Sequence, residues 1–417
     1  MTRLARLFAC TVFLSGIVTP GSPLRAGDWT QFRGPTGQGI STAKGVPVHW
    51  SRDKNVAWRI ELPGKAWSSP ILLRGRLYLT TAVPGDGDTQ VLRVLCLNAE
   101  NGESIWNVEV FRHGAANKHP KNGHASPTPL TDGKHLFVHF GTNGTACLDL
   151  DGEVIWRNRE LVYDPRHGSG GSPVLTETSL VISCDGYDTE FVAALDRATG
   201  KIRWKTPRPQ HEGKTFSFTT PLVITVKDKT QVVSPGSSYV CSYEPDTGRE
   251  LWRVHYPLGY SVVPRPLYAH GLVYVCSGFD TPRLIAFRPT GSGDITEAQV
   301  AWTKRESVPN SPTPIIVGDE LYMVNDKGIA SCLDARTGKQ HWRKRIGGNY
   351  SASPIYAEGK IYFQSETGKG VVIRAAKAFT LLAENDLNDR TLASYAVDDG
   401  VLFIRSETHL YRIEEND

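Results

Sequence analysis

A tryptophan recurs along this 417-residue chain at a nearly constant interval, and this repeat constrains the fold more than any other feature. The interval is 48, 50, 48, 48, 50 and 40 residues along the series Trp58, Trp106, Trp156, Trp204, Trp252, Trp302 and Trp342. A glycine stands four positions before five of these tryptophans, at Gly102, Gly152, Gly200, Gly248 and Gly338. A repeat of this length indicates that one supersecondary unit is copied along the chain.

The unit is clearest between Thr313 and Trp342. Three strand-length runs rich in apolar residues are separated by turn residues, and a fourth run begins near the tryptophan. Short runs of this kind, bounded by Gly, Asp and Asn, are typical of a four-stranded antiparallel meander. The sequence therefore predicts an all-β chain, and one bulky aromatic residue per unit suits a wedge between adjacent sheets.

The number of units follows from the residue that opens each first strand. It is a proline in seven units, and Tyr395 takes the eighth place: Pro70, Pro129, Pro173, Pro221, Pro266, Pro314 and Pro354. The stretch around Trp58 looks like the last strand of a unit whose first three strands stand at the C-terminus. We predict an eight-bladed β-propeller of four-stranded blades, closed by the Trp58 strand joining the C-terminal blade, because such closure removes exposed sheet edges.

The N-terminus predicts export. Arg3 and Arg6 precede an apolar run, so residues 1–26 are interpreted as a signal peptide and residues 27–417 as the propeller domain. Cys10 lies on the wrong side of the apolar run for a lipid anchor. Without residues 1–26 the balance is 44 basic against 43 acidic residues, since 47 − 3 = 44, which gives no support for nucleic-acid binding. A periplasmic or secreted monomer without a transmembrane segment is expected.

The turn that recurs before the outer tryptophan has a recognisable form, Asp-x-x-Thr-Gly-Lys-x-x-Trp, at residues 196–204 and again at 334–342. It resembles the pyrroloquinoline-quinone (PQQ) repeat of quinoprotein alcohol dehydrogenases and of the outer-membrane-assembly scaffold BamB. The resemblance covers residues 27–417 and implies the propeller fold. It also implies two roles, an envelope scaffold or an oxidoreductase with PQQ in its channel. This chain has no adjacent cysteine pair and no segment that resembles the calcium-and-quinone site of those dehydrogenases. The sequence therefore leaves open whether PQQ binds.

Arg265 is the strongest single irregularity in the repeat. In the other seven units a small hydroxyl residue precedes the opening position, at Ser69, Thr128, Ser172, Thr220, Thr313, Ser353 and Ser394. An arginine in this column suits an anion-binding group at the channel, with Tyr260 and His167 on the same face. The alternative is a structural ion pair with Asp280 or Glu366.

Further candidates for ligand binding lie on the same loop-rich face. His124 follows His113 and His119 at spacings of five to eleven residues, without the convergence that a zinc site requires. Asp185 and Asp188 suit either a hard cation or ordinary turn chemistry. The remaining candidates are Asp280 and Tyr350. We expect neither a metal site nor a catalytic set.

Three functions are compatible with these observations. The first is a non-catalytic propeller that binds an envelope or extracellular protein, peptide or glycan. The second is a quinoprotein-like oxidoreductase, and the third is a module for a small anion or cation. The first is favoured, because a propeller without a converging catalytic set is most simply a binding platform, although one fold serves many activities.

Overall fold

The computed structural model describes residues 28–114 and 117–415 and shows an all-β chain. The predicted signal peptide lies outside these residues. Thirty-three strands and one short helix are present among the described residues, and the strands form eight antiparallel sheets arranged as the blades of a propeller. The eight-bladed fold predicted from the repeat is confirmed.

The first four blades follow one another along the chain. Strand β1 (Val56–Glu61) precedes them. Blade 1 contains β2 (Ile71–Leu73), β3 (Arg76–Pro84), β4 (Thr89–Asn98) and β5 (Ser104–Gly114); blade 2 contains β6 (Leu130–Thr131), β7 (His135–His139), β8 (Thr145–Asp149) and β9 (Val154–Asn158). Blade 3 contains β10 (Val174–Leu175), β11 (Ser179–Asp185), β12 (Glu190–Asp196) and β13 (Ile202–Pro207); blade 4 contains β14 (Leu222–Val226), β15 (Lys229–Pro235), β16 (Tyr239–Tyr243) and β17 (Glu250–His255).

The remaining blades repeat this order, with one insertion in blade 5. Blade 5 contains β18 (Leu267–Ala269), β19 (Leu272–Cys276), β20 (Leu284–Phe287) and β22 (Val300–Lys304), with β21 (Gly293–Asp294) and α1 (Thr296–Gln299) inserted before β22. Blade 6 contains β23 (Ile315–Val317), β24 (Glu320–Val324), β25 (Ile329–Asp334) and β26 (Gln340–Arg345). Blade 7 contains β27 (Ile355–Ala357), β28 (Lys360–Gln364), β29 (Lys369–Arg374) and β30 (Leu381–Asp386); blade 8 contains β31 (Ala396–Asp398), β32 (Val401–Arg405) and β33 (His409–Glu414).

The two ends of the chain share one sheet. Strand β1 pairs antiparallel with β33, with Arg59 opposite Tyr411 and Glu61 opposite His409. The order of this sheet is β1-β33-β32-β31, so β1 is the outermost strand of blade 8. Hydrogen bonds between the first and last strands therefore join the ends of the ring, and the last blade has the four-stranded form that seven of the eight sheets share.

Six of the seven outer tryptophans donate an indole hydrogen bond to the next blade. The indole N–H of Trp156 donates to the carbonyl of Arg197 at 2.9 Å, and the ring lies against Gly200 in the same turn. The turn glycine has φ +71°, and a Cβ there would lie about 2.5 Å from the ring. Glycine is therefore required both by the backbone conformation and by the close approach of the ring. The same contact joins Trp58, Trp106, Trp204 and Trp302 to the turn glycine of the following blade.

Trp252 departs from this arrangement because blade 5 carries the insertion. Strand β21 pairs in parallel with β17, placing Gly293 beside Trp252. The indole N–H of Trp252 donates instead to Oε1 of Gln231 within its own blade, at 2.8 Å. The missing turn glycine before Trp302 in the sequence is explained by this insertion.

The small hydroxyl residues before the opening positions form a ring of hydrogen bonds around the channel. In each case a backbone N–H donates to the hydroxyl oxygen of the next blade, at 2.9–3.1 Å. The pairs are Ser69 to Thr128, Thr128 to Ser172, Ser172 to Thr220, Arg265 to Thr313, Thr313 to Ser353, Ser353 to Ser394 and Ser394 to Ser69. We call these seven hydroxyl residues the hydroxyl ring; the link between Thr220 and Arg265 alone lacks this bond among the described residues.

The cores of the blades are apolar, and the cysteines belong to them. All six described cysteines are free and buried, at Cys96, Cys147, Cys184, Cys241, Cys276 and Cys332. Burial raises the pKa of the Cys96 thiol to about 12, so the reactive thiolate is disfavoured. These cysteines are packing residues, as their distribution of one per unit predicts. Among the described residues no helix is long and apolar enough to cross a membrane.

Candidate functional site

The axial channel is open on one face of the ring. This face, which we call the loop face, carries the connections between blades, for example residues 208–220, and the loops between the second and third strands. The opposite face, the turn face, carries the turn between the first two strands of each blade, such as Gly75. At the loop face the channel widens into a cavity of about 330 Å³, which we call the cup. The size lies at the lower end of the range of small-ligand sites.

The wall of the cup has two chemical characters. Aromatic side chains form much of it: Phe32, Trp67, His119, His167, Phe216, Phe218, Tyr260 and Phe279. All seven members of the hydroxyl ring also line it. Phe216 connects the aromatic residues, since its ring lies 5.3 Å from that of His167 and 5.5 Å from that of Tyr260, both nearly perpendicular. Edge-to-face contacts of this kind are favourable and hold the rings in place.

The floor of the cup is formed by the N-terminal segment, residues 28–41, which crosses the turn face of the channel. We call it the plug. Trp29 exchanges backbone hydrogen bonds with Leu72 in blade 1, at 2.8 and 2.9 Å. Gly39 and Ser41 exchange backbone hydrogen bonds with Tyr356 in blade 7, two blades away, at 2.9 Å. On the opposite side of the ring, Oε1 of Gln38 accepts the backbone N–H of Tyr268 in blade 5 at 2.8 Å. Phe32 is the residue of the plug that lines the cup. Because the plug crosses the channel at the turn face, the cup is closed there and open at the loop face.

Two buried arginines hold the plug. Arg33, 1% exposed, donates to the carbonyls of Pro314, Pro354 and Gln38 at 2.8–3.1 Å, which ties the plug to blades 6 and 7. Arg265, 2% exposed, donates from Nη1 to the carbonyl of Phe32 at 2.8 Å and from Nε to the carbonyl of Pro221 at 3.0 Å.

No carboxylate of the described residues bonds either of these guanidinium groups. Burial lowers the pKa of Arg265 to about 9, and burial together with the charge of Arg265 lowers the pKa of Arg33 to about 9. Both groups therefore stay protonated at neutral pH.

The charged side chains around the mouth of the cup are paired with one another. Lys121 contacts Glu366 at 2.6 Å, and Glu366 also accepts a hydrogen bond from the hydroxyl of Ser351 at 2.6 Å. Lys214 donates to the phenol oxygen of Tyr260 and to Asp280, both at 3.0 Å. These two carboxylates at the rim, Glu366 and Asp280, are therefore paired with lysines. Ion pairs near the surface contribute little to stability.

Some of the predicted site residues are brought together at the cup, and others are not. Tyr260 and His167 line it, and burial together with His119 and Arg166 lowers the pKa of His167. Arg265 lies beneath the floor, and neither Asp280 nor Glu366 reaches it. Asp280 stands at the rim with Lys214. The three residues predicted to lie together, Arg265, Tyr260 and His167, are therefore found around one cavity. Tyr260 and His167 line it, and Arg265 lies beneath its floor.

The other predicted residues occupy separate places. The ring of His124 lies 5.1 Å from that of His113 in a neighbouring pocket, and burial lowers the pKa of His124 to about 4. Asp185 makes a fully buried bidentate pair with Arg208, at 2.5 and 2.7 Å. Asp188 accepts the backbone N–H of Asp164 at 2.7 Å. Tyr350 is fully buried, and its hydroxyl has no hydrogen-bond partner among the described residues.

The donor groups of the cup do not match a calcium-and-quinone site. Hard cations such as calcium are held by carboxylate and carbonyl oxygens, yet no carboxylate side chain of the described residues lines the cup. Within residues 28–114 and 117–415 no group of three or more His, Cys, Asp or Glu is arranged to hold a metal ion. The residues present are therefore not those that the cofactor of quinoprotein dehydrogenases requires.

Sequence reasoning missed the plug and half of the aromatic wall, namely Phe32, Trp67, Phe216 and Phe218. Phe32 lies in the stretch 28–35, which shows no periodicity, and Phe216 and Phe218 lie in a blade connection. A signal for the plug was nonetheless present. Gly34, Gly37 and Gly39 all adopt positive φ, at +76°, +69° and +84°, and their close spacing beside Trp29 is typical of a tightly folded segment rather than a linker.

Fold and site together define the class of this protein: a closed eight-bladed propeller whose axial pocket opens at one face. The chain belongs to the family described as outer membrane protein assembly factor BamB, whose model matches residues 39–183, 79–217 and 188–417.

Two curated relatives illustrate the range of the family. The chain is 20% identical to BamB of Yersinia pestis over 378 residues, which cover 85% of this chain and 79% of that protein. It is 31% identical over 160 residues to methanol dehydrogenase [cytochrome c] subunit 1 of Methylorubrum extorquens. That match covers 32% of this chain and only 24% of the dehydrogenase subunit, so the chain spans about a quarter of that relative.

A solved structure of similar fold is quinohemoprotein alcohol dehydrogenase from Comamonas testosteroni. The TM-score is 0.67 at 11% identity, and the match covers 94% of this chain and 81% of that one. At this identity the likeness shows the fold alone.

Proposed function

We propose that this protein is a non-catalytic binding propeller of the cell envelope, exported by its N-terminal signal, which receives a protein partner at its loop face. The observation that carries the proposal is the chemistry of the cup: aromatic and hydroxyl side chains line it, and the described wall has no carboxylate to serve as a base or cation ligand. Such a wall supplies contact surface and hydrogen bonds, the two requirements of recognition, and its two histidines, His119 and His167, have no carboxylate beside them in the wall to orient them for proton transfer.

The distribution of exposed apolar side chains supports the same conclusion. Of the seven large exposed hydrophobic residues in the described part of the chain, four lie on the loop face, in the connections and loops of blades 2 to 5: Val162, Tyr187, Leu258 and Phe279. Exposed apolar groups of this kind near a rim of charged residues are typical of protein interaction sites. The match to BamB of Yersinia pestis over most of both chains agrees with a partner in the envelope.

The experiment is site-specific photo-crosslinking in cells that produce the protein. A photoreactive residue at Phe279, 37% exposed on the loop face, is compared with one at Ile155, 49% exposed on an outer strand of blade 2. We expect a discrete adduct with an envelope protein from position 279 and none from position 155. Adducts of equal yield at both positions, or none at position 279, would contradict a partner site on the loop face.

The second candidate is a quinoprotein-like oxidoreductase, and one observation favours it: the 31% identity to a methanol dehydrogenase subunit over 160 residues. The purified protein, incubated with PQQ and calcium, is assayed for reduction of a dye by alcohols and sugars, and its melting temperature is followed in parallel. Our proposal predicts neither dye reduction nor a rise in melting temperature with PQQ. PQQ-dependent dye reduction would establish the oxidoreductase and reject the non-catalytic function.

A further inference from the structure

The hydroxyl ring presents unused hydrogen-bond donors to the cup. Each of its seven oxygen atoms accepts a backbone N–H from the preceding blade. A hydroxyl group also has a proton to donate, and none of the seven donates it to another described residue. All seven side chains line the cup and are nearly buried. Each hydroxyl therefore has one of its two lone pairs occupied and its proton unused, so the ring is a set of available donors that favours a ligand with acceptor oxygens.

Positive charge lies close behind the cup. The guanidinium groups of Arg33 and Arg265 are buried below Phe32 and are bonded to carbonyl groups and, for Arg265, to the Gln31 amide oxygen at 3.3 Å. Behind the wall, Arg405 is 1% exposed and donates from Nη1 to the carbonyls of Ser68 and Thr80, and Ser68 stands between the lining residues Trp67 and Ser69.

The charge of Arg405 is also poorly matched by its surroundings. Its Nε and Nη2 atoms are buried and have no partner among the described residues. Three buried cations without a bonded carboxylate are costly, and an anion in the cup would offset part of that cost.

The shape of the cup restricts how such an anion can enter. The plug closes the turn face, so a ligand enters from the loop face and its leading end stops at Phe32. Behind that leading end, Trp67, Phe216, Phe218 and Tyr260 provide an apolar wall. A ligand that fits this order has acceptor oxygens and negative charge at its leading end and an apolar group behind it.

We propose that the cup binds a carboxylate carried on an apolar group, with the carboxylate leading and bonded by the hydroxyl ring. This inference rests on the proposed binding function and names its ligand class. Two sources share this chemistry. One is the C-terminal end of a partner polypeptide with an apolar last residue, since chain-end carboxylates are captured by convergent donors. The other is a small free acid with an aromatic group.

The test is a calorimetric titration of the whole protein with matched ligands. The probes are an acetylated tripeptide that ends in phenylalanine as the free acid, the same tripeptide as the C-terminal amide, and 3-phenylpropionate. We expect the peptide acid or 3-phenylpropionate to bind, and the acid to bind at least tenfold more tightly than the amide. Tighter binding of the peptide acid identifies a chain end, and tighter binding of 3-phenylpropionate identifies a free acid. Equal binding of acid and amide, or no binding of any probe at millimolar concentration, overturns the proposal.

Three variants locate the binding. Ser311→Trp fills the cup from a lining position and is expected to abolish binding of the acid. Arg265→Gln removes one buried charge and is expected to lower the preference for acid over amide at least threefold, whereas Arg265→Lys retains most of it. Lys65→Gln removes an exposed rim charge that is not part of the cup and is expected to change nothing. Unchanged binding in Ser311→Trp would overturn the proposal even if the Arg265 variants fail to fold.

The outcomes separate this inference from the proposed function. Equal binding of acid and amide, together with a specific adduct at position 279 and no dye reduction, rejects the carboxylate and leaves the binding propeller intact. PQQ-dependent dye reduction rejects the non-catalytic function. In that case the preference for acid over amide still reports on the hydroxyl ring, because it is measured without PQQ.

Discussion

The two ends of the axial channel are built from different chemistry. At the turn face, the plug crosses the ring and is held by two buried arginines that donate to backbone carbonyls. At the loop face, aromatic rings and histidines surround an open cup, and charged residues form exposed pairs at its rim. One end is thus a structural closure held by internal hydrogen bonds from its arginines and its backbone, and the other is a surface with polar groups left for a ligand.

The difference shows how a single repeat can serve both purposes. The blades contribute the same strands to both ends, so the contrast arises from segments outside the repeat. Arg265 marks the boundary, because its backbone N–H takes part in the hydroxyl ring at 3.0 Å from Thr313 while its side chain reaches down to the plug. Arg265, the irregular residue among the positions of the hydroxyl ring, therefore connects the plug to the wall of the cup.

The largest effect is expected from removing the arginine that holds the plug. Arg33→Met deletes three hydrogen bonds and leaves buried carbonyls of blades 6 and 7 without donors. We expect a loss of about 3 kcal/mol in the free energy of unfolding, because orphaned buried groups cost about 1–3 kcal/mol each and removal of a buried charge offsets part of that. Urea unfolding followed by tryptophan fluorescence measures the change.

The matched control is Lys65→Met at the loop face, which deletes an exposed pair with Glu407 at 3.4 Å. Its midpoint of unfolding should equal that of the wild-type protein within error. If both substitutions had the same effect, the plug would not be the more tightly held end of the channel.

A smaller effect is expected from one methyl group in the plug. Gly37 has φ +69°, and a Cβ at this position would overlap the guanidinium of Arg265. Gly75 has φ +76° in a turn where a Cβ would meet nothing within 4 Å. Gly75→Ala should therefore cost only the left-handed strain, about 1 kcal/mol, and Gly37→Ala a further 1–3 kcal/mol for overpacking. Thermal unfolding of the two variants side by side decides this, and equal losses would mean that Arg265 does not lie against the plug.

Acid should destabilise the protein through buried histidines near the loop face. His139, 1% exposed in blade 2, has its pKa lowered from 6.5 to about 3 by burial, and the pKa of His124 is lowered to about 4. The unfolded chain then binds more protons than the folded chain between pH 6.5 and about 3. Stability is therefore full above pH 6.5 and falls as the pH drops through this window.

His139→Asn should reduce the slope of stability against pH in this window by up to about 1.4 kcal/mol per pH unit. Chemical unfolding at a series of pH values measures the slope. His49→Asn, at an exposed position, is the control and should leave it unchanged. An unaltered slope in His139→Asn would show that this histidine is protonated without cost in the folded protein.

The repeat made the architecture predictable, and local rules explain why. The tryptophan and glycine columns report a contact between one blade and the next, as between Trp156 and Gly200, so their spacing reveals the number of blades. The hydroxyl column was also visible, but six of its seven hydrogen bonds join residues 40 to 59 positions apart, the seventh joins Ser394 to Ser69 across 325 positions, and nothing in one unit predicts them.

The plug and its contacts could not be predicted, because they depend on residues that are distant in the chain. Arg33 bonds carbonyls of Pro314 and Pro354, which lie 281 and 321 positions away. Arg265 was recognised as irregular, yet the groups that it bonds belong to a segment with no periodicity. Asp185 has the same limitation, since its partner Arg208 follows an outer strand and is not part of any motif.

Hydrogen exchange measured by mass spectrometry on the whole protein tests the contrast between the two ends most directly. In the plug, the backbone N–H groups of Trp29, Gly39 and Ser41 are bonded to carbonyls. Residues 211–215, in the connection of blades 3 and 4 at the loop face, contain no strand. We predict that peptides covering residues 28–41 exchange as slowly as β3 and β4, and that residues 211–215 exchange within seconds. Exchange of residues 28–41 as fast as that of 211–215 would mean that the channel is open at both ends and would contradict this account.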